Sequence, residues 1–144
     1  MNIRVKYFSP LAKLEQIENG DWIDLKTIED ANLYRGKFYL IPLGVAMELP
    51  RGYEANIVPR SSTFSRFGIL QVNCFGVIDS SYRGDDDQWF FPAYATRNAF
   101  IPAGSRICQF RINRTMRESF GPIQFDEVEC LGNQNRGGHG STGA

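Results

Sequence analysis

The sequence is short of several things that common kinds of protein depend on. It has one histidine, His139, and three cysteines, Cys74, Cys108 and Cys130, whose spacing matches no zinc-binding pattern. No zinc site is therefore expected, and an odd number of scattered cysteines reads as reduced thiols rather than as a disulfide framework. Net charge is missing too, because sixteen Lys and Arg offset sixteen Asp and Glu. Without a field of one sign, nothing draws in a nucleic-acid polymer or an anionic membrane, so any ligand must be selected by local groups. No apolar run approaches the roughly 20 residues that cross a bilayer. The first six residues alternate charge with apolar side chains instead of forming a signal-like core. The expectation is a cytoplasmic protein without membrane contact. Its 144 residues suffice for one compact domain with a core of its own.

Also absent is a sustained helical period. Apolar residues recur instead at every second position, as in Ile3, Val5 and Tyr7, in Phe38 and Leu40, and in Cys108, Phe110 and Ile112 opposite Ile107, Gln109 and Arg111. Strands are expected there and over 53–58, 67–72, 88–96 and 123–129, each bounded by turn residues. Many short strands favour an all-β sandwich, jelly roll or small barrel, in which closure removes exposed edges. One helical turn is expected near 61–66, where Ser and Thr hydroxyls can cap free amides and the amide end suits an anion. Within 88–96, Trp89 and Phe91 share one face and Phe90 takes the other. One set serves the core while the other is free for a site, and the sequence leaves open which.

From residue 132 the chain carries almost no apolar surface and cannot pack itself. The expected organisation is a barrel domain over 1–131 and a flexible Gly-rich arm over 132–144. The arm has an order that a generic tail lacks: Arg136, then glycines, then Ser141 and Thr142. A fixed positive charge, two hydroxyls and amides unobstructed by a Cβ are what a phosphate clamp needs. A second constellation spans 73–85, with Asp79 and Tyr82 around an expected turn between two strands. This implies a hairpin pocket, whose unpaired backbone donors and acceptors can read the edge of a nucleobase.

Five segments, in order, resemble the motifs of the trimeric dUTPase family. They are Asp-Trp-Ile-Asp-Leu at 21–25, Pro-Arg-Ser-Ser at 59–62, Gly-Val-Ile-Asp-Ser-Ser-Tyr-Arg-Gly-Asp at 76–85, Gly-Ser-Arg-Ile-Cys-Gln-Phe at 104–110 and the arm from Arg136 to Gly143. The third is the most specific. The resemblance implies a distorted jelly-roll barrel forming a homotrimer with an exchanged C-terminal arm. It also implies magnesium-assisted hydrolysis of dUTP to dUMP and pyrophosphate by in-line attack of an Asp-activated water on the α-phosphate.

Carried over by residue, the resemblance makes Asp79 the group that orients and deprotonates the water, and Gln109 the amide that meets that water and the α-phosphate. Arg60, Ser61 and Ser62 would meet the triphosphate. Asn73, with the backbone of Gly76 and Ile78, would read the uracil edge, and Tyr82 would stack under the deoxyribose and exclude a 2′-hydroxyl. Asp24 would reach magnesium through water. Arg136, Ser141 and Thr142 would close over the γ-phosphate from a neighbouring subunit, so that three chains build each site.

Three departures stand out. The first motif has Trp22 and Ile23 where the family usually has Gly-Tyr, Ser62 stands where Gly is common, and His139 stands where a Phe stacks on uracil. Phe90, with Trp89 and Phe91, offers a second source of an aromatic lid. Two rival readings remain: a dCTP deaminase on the same fold, for which no base-side carboxylate motif is found, and a dUTP-binding trimer that acts through a regulatory protein partner. Asp79, Tyr82 and Gln109 argue for turnover.

Overall fold

The computed structural model describes residues 1–16 and 18–140. Eleven strands, two short α-helices and one 3-10 turn (Pro10–Ala12) make up the regular elements of the described part. The strands are β1 (Arg4–Tyr7), β2 (Ile23–Lys26), β3 (Ala31–Leu33), β4 (Phe38–Pro42), β5 (Val45–Glu48), β6 (Tyr53–Pro59), β7 (Ile69–Gln71), β8 (Gly76–Asp79), β9 (Phe90–Ala95), β10 (Ala99–Ile101) and β11 (Arg106–Arg114). Helix α1 (Thr63–Phe67) lies between β6 and β7, and α2 (Met116–Phe120) follows β11. All ladders are antiparallel. A four-stranded sheet runs β2-β11-β6-β8, a three-stranded one β4-β9-β7, and β1-β5 and β3-β10 form pairs. This is the all-β arrangement expected from the alternation, in the jelly-roll form that the family resemblance implies.

The alternation decides which side chains face in. Leu25, Ile57 and Phe110 of the four-stranded sheet are buried, as are Ile41, Phe91 and Ala93 of the three-stranded one. Trp89 completes the join between them, its ring meeting Phe110 edge-on at 5.3 Å and 87°. Trp89 and Phe91 therefore serve the core, and Phe90, on the opposite face of β9, is 38% exposed. The period breaks once, at a bulge between Arg106 and Cys108. An extra residue there lets both Ile107 and Cys108 point inward, where strict alternation would expose one.

Two expectations are corrected. The strand expected over 67–72 is shorter, because Phe67 closes α1 and Gly68, at φ 64°, ends the helix before β7 begins. No strand forms over 123–129, where every residue is exposed and no ladder partner is supplied by the same chain. The strands expected on either side of 73–85 do pair, β7 with β9, but the segment between them carries a strand not anticipated from the sequence, β8, which pairs with β6 in the other sheet.

Candidate active site

In a cross-strand ladder, residues directly opposite share a face. Asp24 of β2, Gln109 of β11 and Val58 of β6 form one such row on the outer side of the four-stranded sheet. The chain turns just beyond β6, bringing Arg60 back over the row, and its Nε lies 3.0 Å from Asp24 Oδ1. Gln109 Nε2 donates to the Pro59 carbonyl at 3.3 Å. With Ser61, these side chains line a cavity of about 320 Å³, edged by Trp22 and Asp21. Arg111 lies over the Trp22 ring at 5.7 Å and pairs with Asp21 at 2.9 Å. Asp24, Arg60, Ser61 and Gln109 thus come together, forming a polar recess with one cation aimed into it.

The turn is held by a residue that sequence reasoning passed over. Thr63, 1% exposed, accepts from the Arg60 amide at 2.9 Å and donates to the Ile107 carbonyl at 2.7 Å. Its signal was present in Ser-Ser-Thr at a helix start. Ser62 occupies the cap position of α1 but makes no side-chain cap bond, contrary to the expectation for the hydroxyls there. Its φ of −93° is open to any residue, so Ser in place of Gly imposes no strain.

The second cluster lies around β8. Gly76 packs so closely that a Cβ would stand 3.0 Å from that of Ile57, which accounts for glycine here. Ile78 packs against the core, leaving only its backbone for a ligand. Asn73 Oδ1 accepts from Gln71 Nε2 at 2.9 Å, and the same nitrogen donates to the Ile57 carbonyl at 3.0 Å, so the buried Gln71 fixes Asn73 to the sheet. Asp79, at the end of β8, accepts from the Ser81 amide at 2.7 Å and from the Ser81 hydroxyl. These bonds, the hydroxyl's first, hold its carboxyl below the usual range. The Tyr82 hydroxyl donates to the Gln88 carbonyl at 2.9 Å, two residues before Phe90. Partial burial and then the charge of Asp87 raise that phenol above its ordinary value.

One chain keeps these clusters apart. Asp79 is opposite Glu54 at one end of β6, and Arg60 follows Pro59 at the other. The five residue steps from Glu54 to Pro59 span roughly 17 Å at strand rise. The face between them is filled by paired amides, Asn113 Nδ2 donating to Asn56 Oδ1 at 2.6 Å and Asn56 Nδ2 to Glu54 Oε2 at 3.1 Å. Arg136 and His139 lie on exposed, irregular chain, His139 at φ 50°. Ser141 and Thr142 fall outside the described residues.

An outward sheet row carrying Asp and Gln, with Arg60 over it, thus lies at one end of β6, and an Asp held below its usual range near a Tyr lies at the other. The dUTPase family model matches residues 22–143, and the chain belongs to that family. It is 54% identical to the SPbeta prophage-derived deoxyuridine 5'-triphosphate nucleotidohydrolase YosS of Bacillus subtilis (strain 168), over 99% of each chain. It is 37% identical to the deoxyuridine 5'-triphosphate nucleotidohydrolase of Finegoldia magna, over 94% of this chain and 92% of that one. Among solved structures, a variant of the phage 80alpha dUTPase matches with a TM-score of 0.76 at 19% identity, over 97% and 98% of the two chains. The dUTPase from Streptococcus mutans matches at 0.71 and 20% identity, over 88% and 100%. These likenesses concern the fold.

Proposed function

We propose that this chain hydrolyses dUTP to dUMP and pyrophosphate as a homotrimer with magnesium. The observation that carries the reading is the split along β6: a phosphate-suited recess at one end, and at the other an Asp held ionised beside a Tyr. Neither half performs the reaction alone, and a second copy of the chain can supply the missing half. In this reading Arg60 and Ser61 bind the triphosphate, and Gln109 orients the α-phosphate and the water. Asp79 holds that water and accepts its proton. Its depressed basicity makes positioning the larger part of its contribution. Asn73 and the backbone of Gly76 and Ile78 meet the uracil edge, and Tyr82 lies under the sugar. The arm, with Arg136, Ser141 and Thr142, closes over the γ-phosphate, and either His139 or Phe90 covers the base.

The donor set suits magnesium held chiefly by phosphate oxygens. Asp24 lines the recess beside Arg60 and Gln109, while Asp21 at its edge is paired with Arg111, and among the described residues no group of three or more acidic, His or Cys side chains converges on a metal. Magnesium keeps several waters and takes few protein oxygens, which fits Asp24 acting through water. When bound, it would neutralise charge on the phosphates. No helix among the described residues is long and apolar enough to cross a membrane, and all three cysteines are unpaired. Free thiols suit a reducing compartment, which supports a cytoplasmic location.

The test is pyrophosphate release from dUTP, UTP, dCTP and dTTP, with magnesium or with excess chelator. Strong preference for dUTP that depends on magnesium is expected. Equal turnover of UTP, or ammonia released from dCTP, would overturn the reading.

A further inference from the structure

Asp24 divides its two oxygens between two guanidinium groups. Oδ1 takes Arg60 Nε at 3.0 Å, while Oδ2 faces Arg106 Nη1 at 3.6 Å. Arg106 is itself tethered on its far side, its Nη2 lying 2.7 Å from Glu15 Oε2. The other oxygen of Glu15 is 2.7 Å from Lys26 Nζ. Asp24 is the least exposed member of this chain of charges, its side chain 13% exposed against 44% for Arg106. Lys26 and then Arg106 hold the Glu15 carboxyl below its ordinary value, so the tether stays ionised at neutral pH.

Resting on the function proposed above, we infer that Arg106 is a positioning residue that keeps Arg60 available to the substrate phosphates by occupying one oxygen of Asp24. A guanidinium and a carboxylate prefer a fork-to-fork pair with two parallel bonds. With Oδ2 engaged elsewhere, Asp24 holds Arg60 through Nε alone, and the terminal nitrogens of Arg60 stay free for phosphate. Without Arg106, Asp24 can turn both oxygens to Arg60 and withdraw it. The stability contribution of such partly exposed pairs is small, so the effect is on binding rather than folding.

The experiment measures steady-state dUTP hydrolysis for wild type, Arg106→Gln, Arg106→Lys, Asp24→Asn and the double variant Asp24→Asn with Arg106→Gln. Arg106→Gln is expected to raise KM about tenfold with kcat within about threefold, because phosphate binding by Arg60 serves ground and transition states alike. Arg106→Lys should recover part of the loss, since its charge still engages Asp24. In the Asp24→Asn background, Arg106→Gln should have no further effect on KM, since the competing carboxylate is gone. Unchanged KM in Arg106→Gln, or the same KM rise with Asn at 24, which would mean that Arg106 meets the substrate itself, overturns the inference. If Arg106→Gln does not fold, Glu15→Gln replaces it in the same cycle, with a smaller KM rise expected and the same criterion applied. Inactive wild type would overturn the function, whereas active wild type with a persistent Arg106 effect overturns only the role of Arg106.

Discussion

Asp79 shows how immediate neighbours hold a carboxylate in its charged form. Two donors from Ser81 stabilise its charged form, so its base form persists below the usual carboxylate range. Asp79→Asn, which cannot accept a proton, should lower kcat by about two decades while dUTP still binds. Ser81→Ala removes one donor, so the carboxyl should rise toward its ordinary value. Neutral-pH turnover should then hardly change, while the acid limb of the kcat/KM profile should move to higher pH. A limb that stays in place in Ser81→Ala would show that another group titrates. At this scale the sequence singled out Asp24, Arg60 and Gln109 from separate motifs, and the fold brings these three side chains to one cavity. It was silent on Thr63, Gln71 and Arg106, whose contacts are with backbone or with residues distant in the chain. Such partners are set by folding and leave no local pattern.

At the scale of elements, alternation located the strands that face the core and misjudged those lacking a partner. The 123–129 segment alternates like a strand, but a strand forms only where a neighbour takes its backbone groups. The pairing of β7 with β9 across the 73–85 segment was legible, but β8 within that segment was not, because its partner β6 is distant in sequence. Helix α1 was legible as a turn, but its function as a brace was not. Thr63 ties Arg60 on one side to Ile107 on the other from a buried position. Thr63→Val keeps the shape but leaves an amide and a carbonyl unpaired, at a cost of about 2–4 kcal/mol. A fall in Tm of several degrees at matched protein concentration is expected, with a higher KM for dUTP, whereas Thr63→Ser should retain both bonds and most of the Tm. An unchanged Tm in Thr63→Val would show that the turn holds without this brace.

The molecule as a whole raises the question of how two clusters roughly 17 Å apart along one strand serve one reaction. Assembly answers it if copies face one another so that the recess of one meets the Asp79 end of another, and the arm from Arg136 onward then closes the site from a third. The arm has too little apolar surface to support the barrel, so deleting 132–144 should leave assembly and ligand-free Tm nearly unchanged while turnover falls steeply. If Asp79 and the arm act from different copies, an arm-deleted chain and an Asp79→Asn chain are complementary. Refolded together, they should form mixed trimers in which some sites combine an intact Asp79 with an intact arm, although neither parent contains such a site. The measurement is steady-state dUTP hydrolysis of the co-refolded mixture against each parent refolded alone, with mixed trimers verified by mass. Activity well above the sum of the parents is expected. Activity no greater than that sum, with mixed trimers present, would show that Asp79 and the arm belong to the same subunit's site.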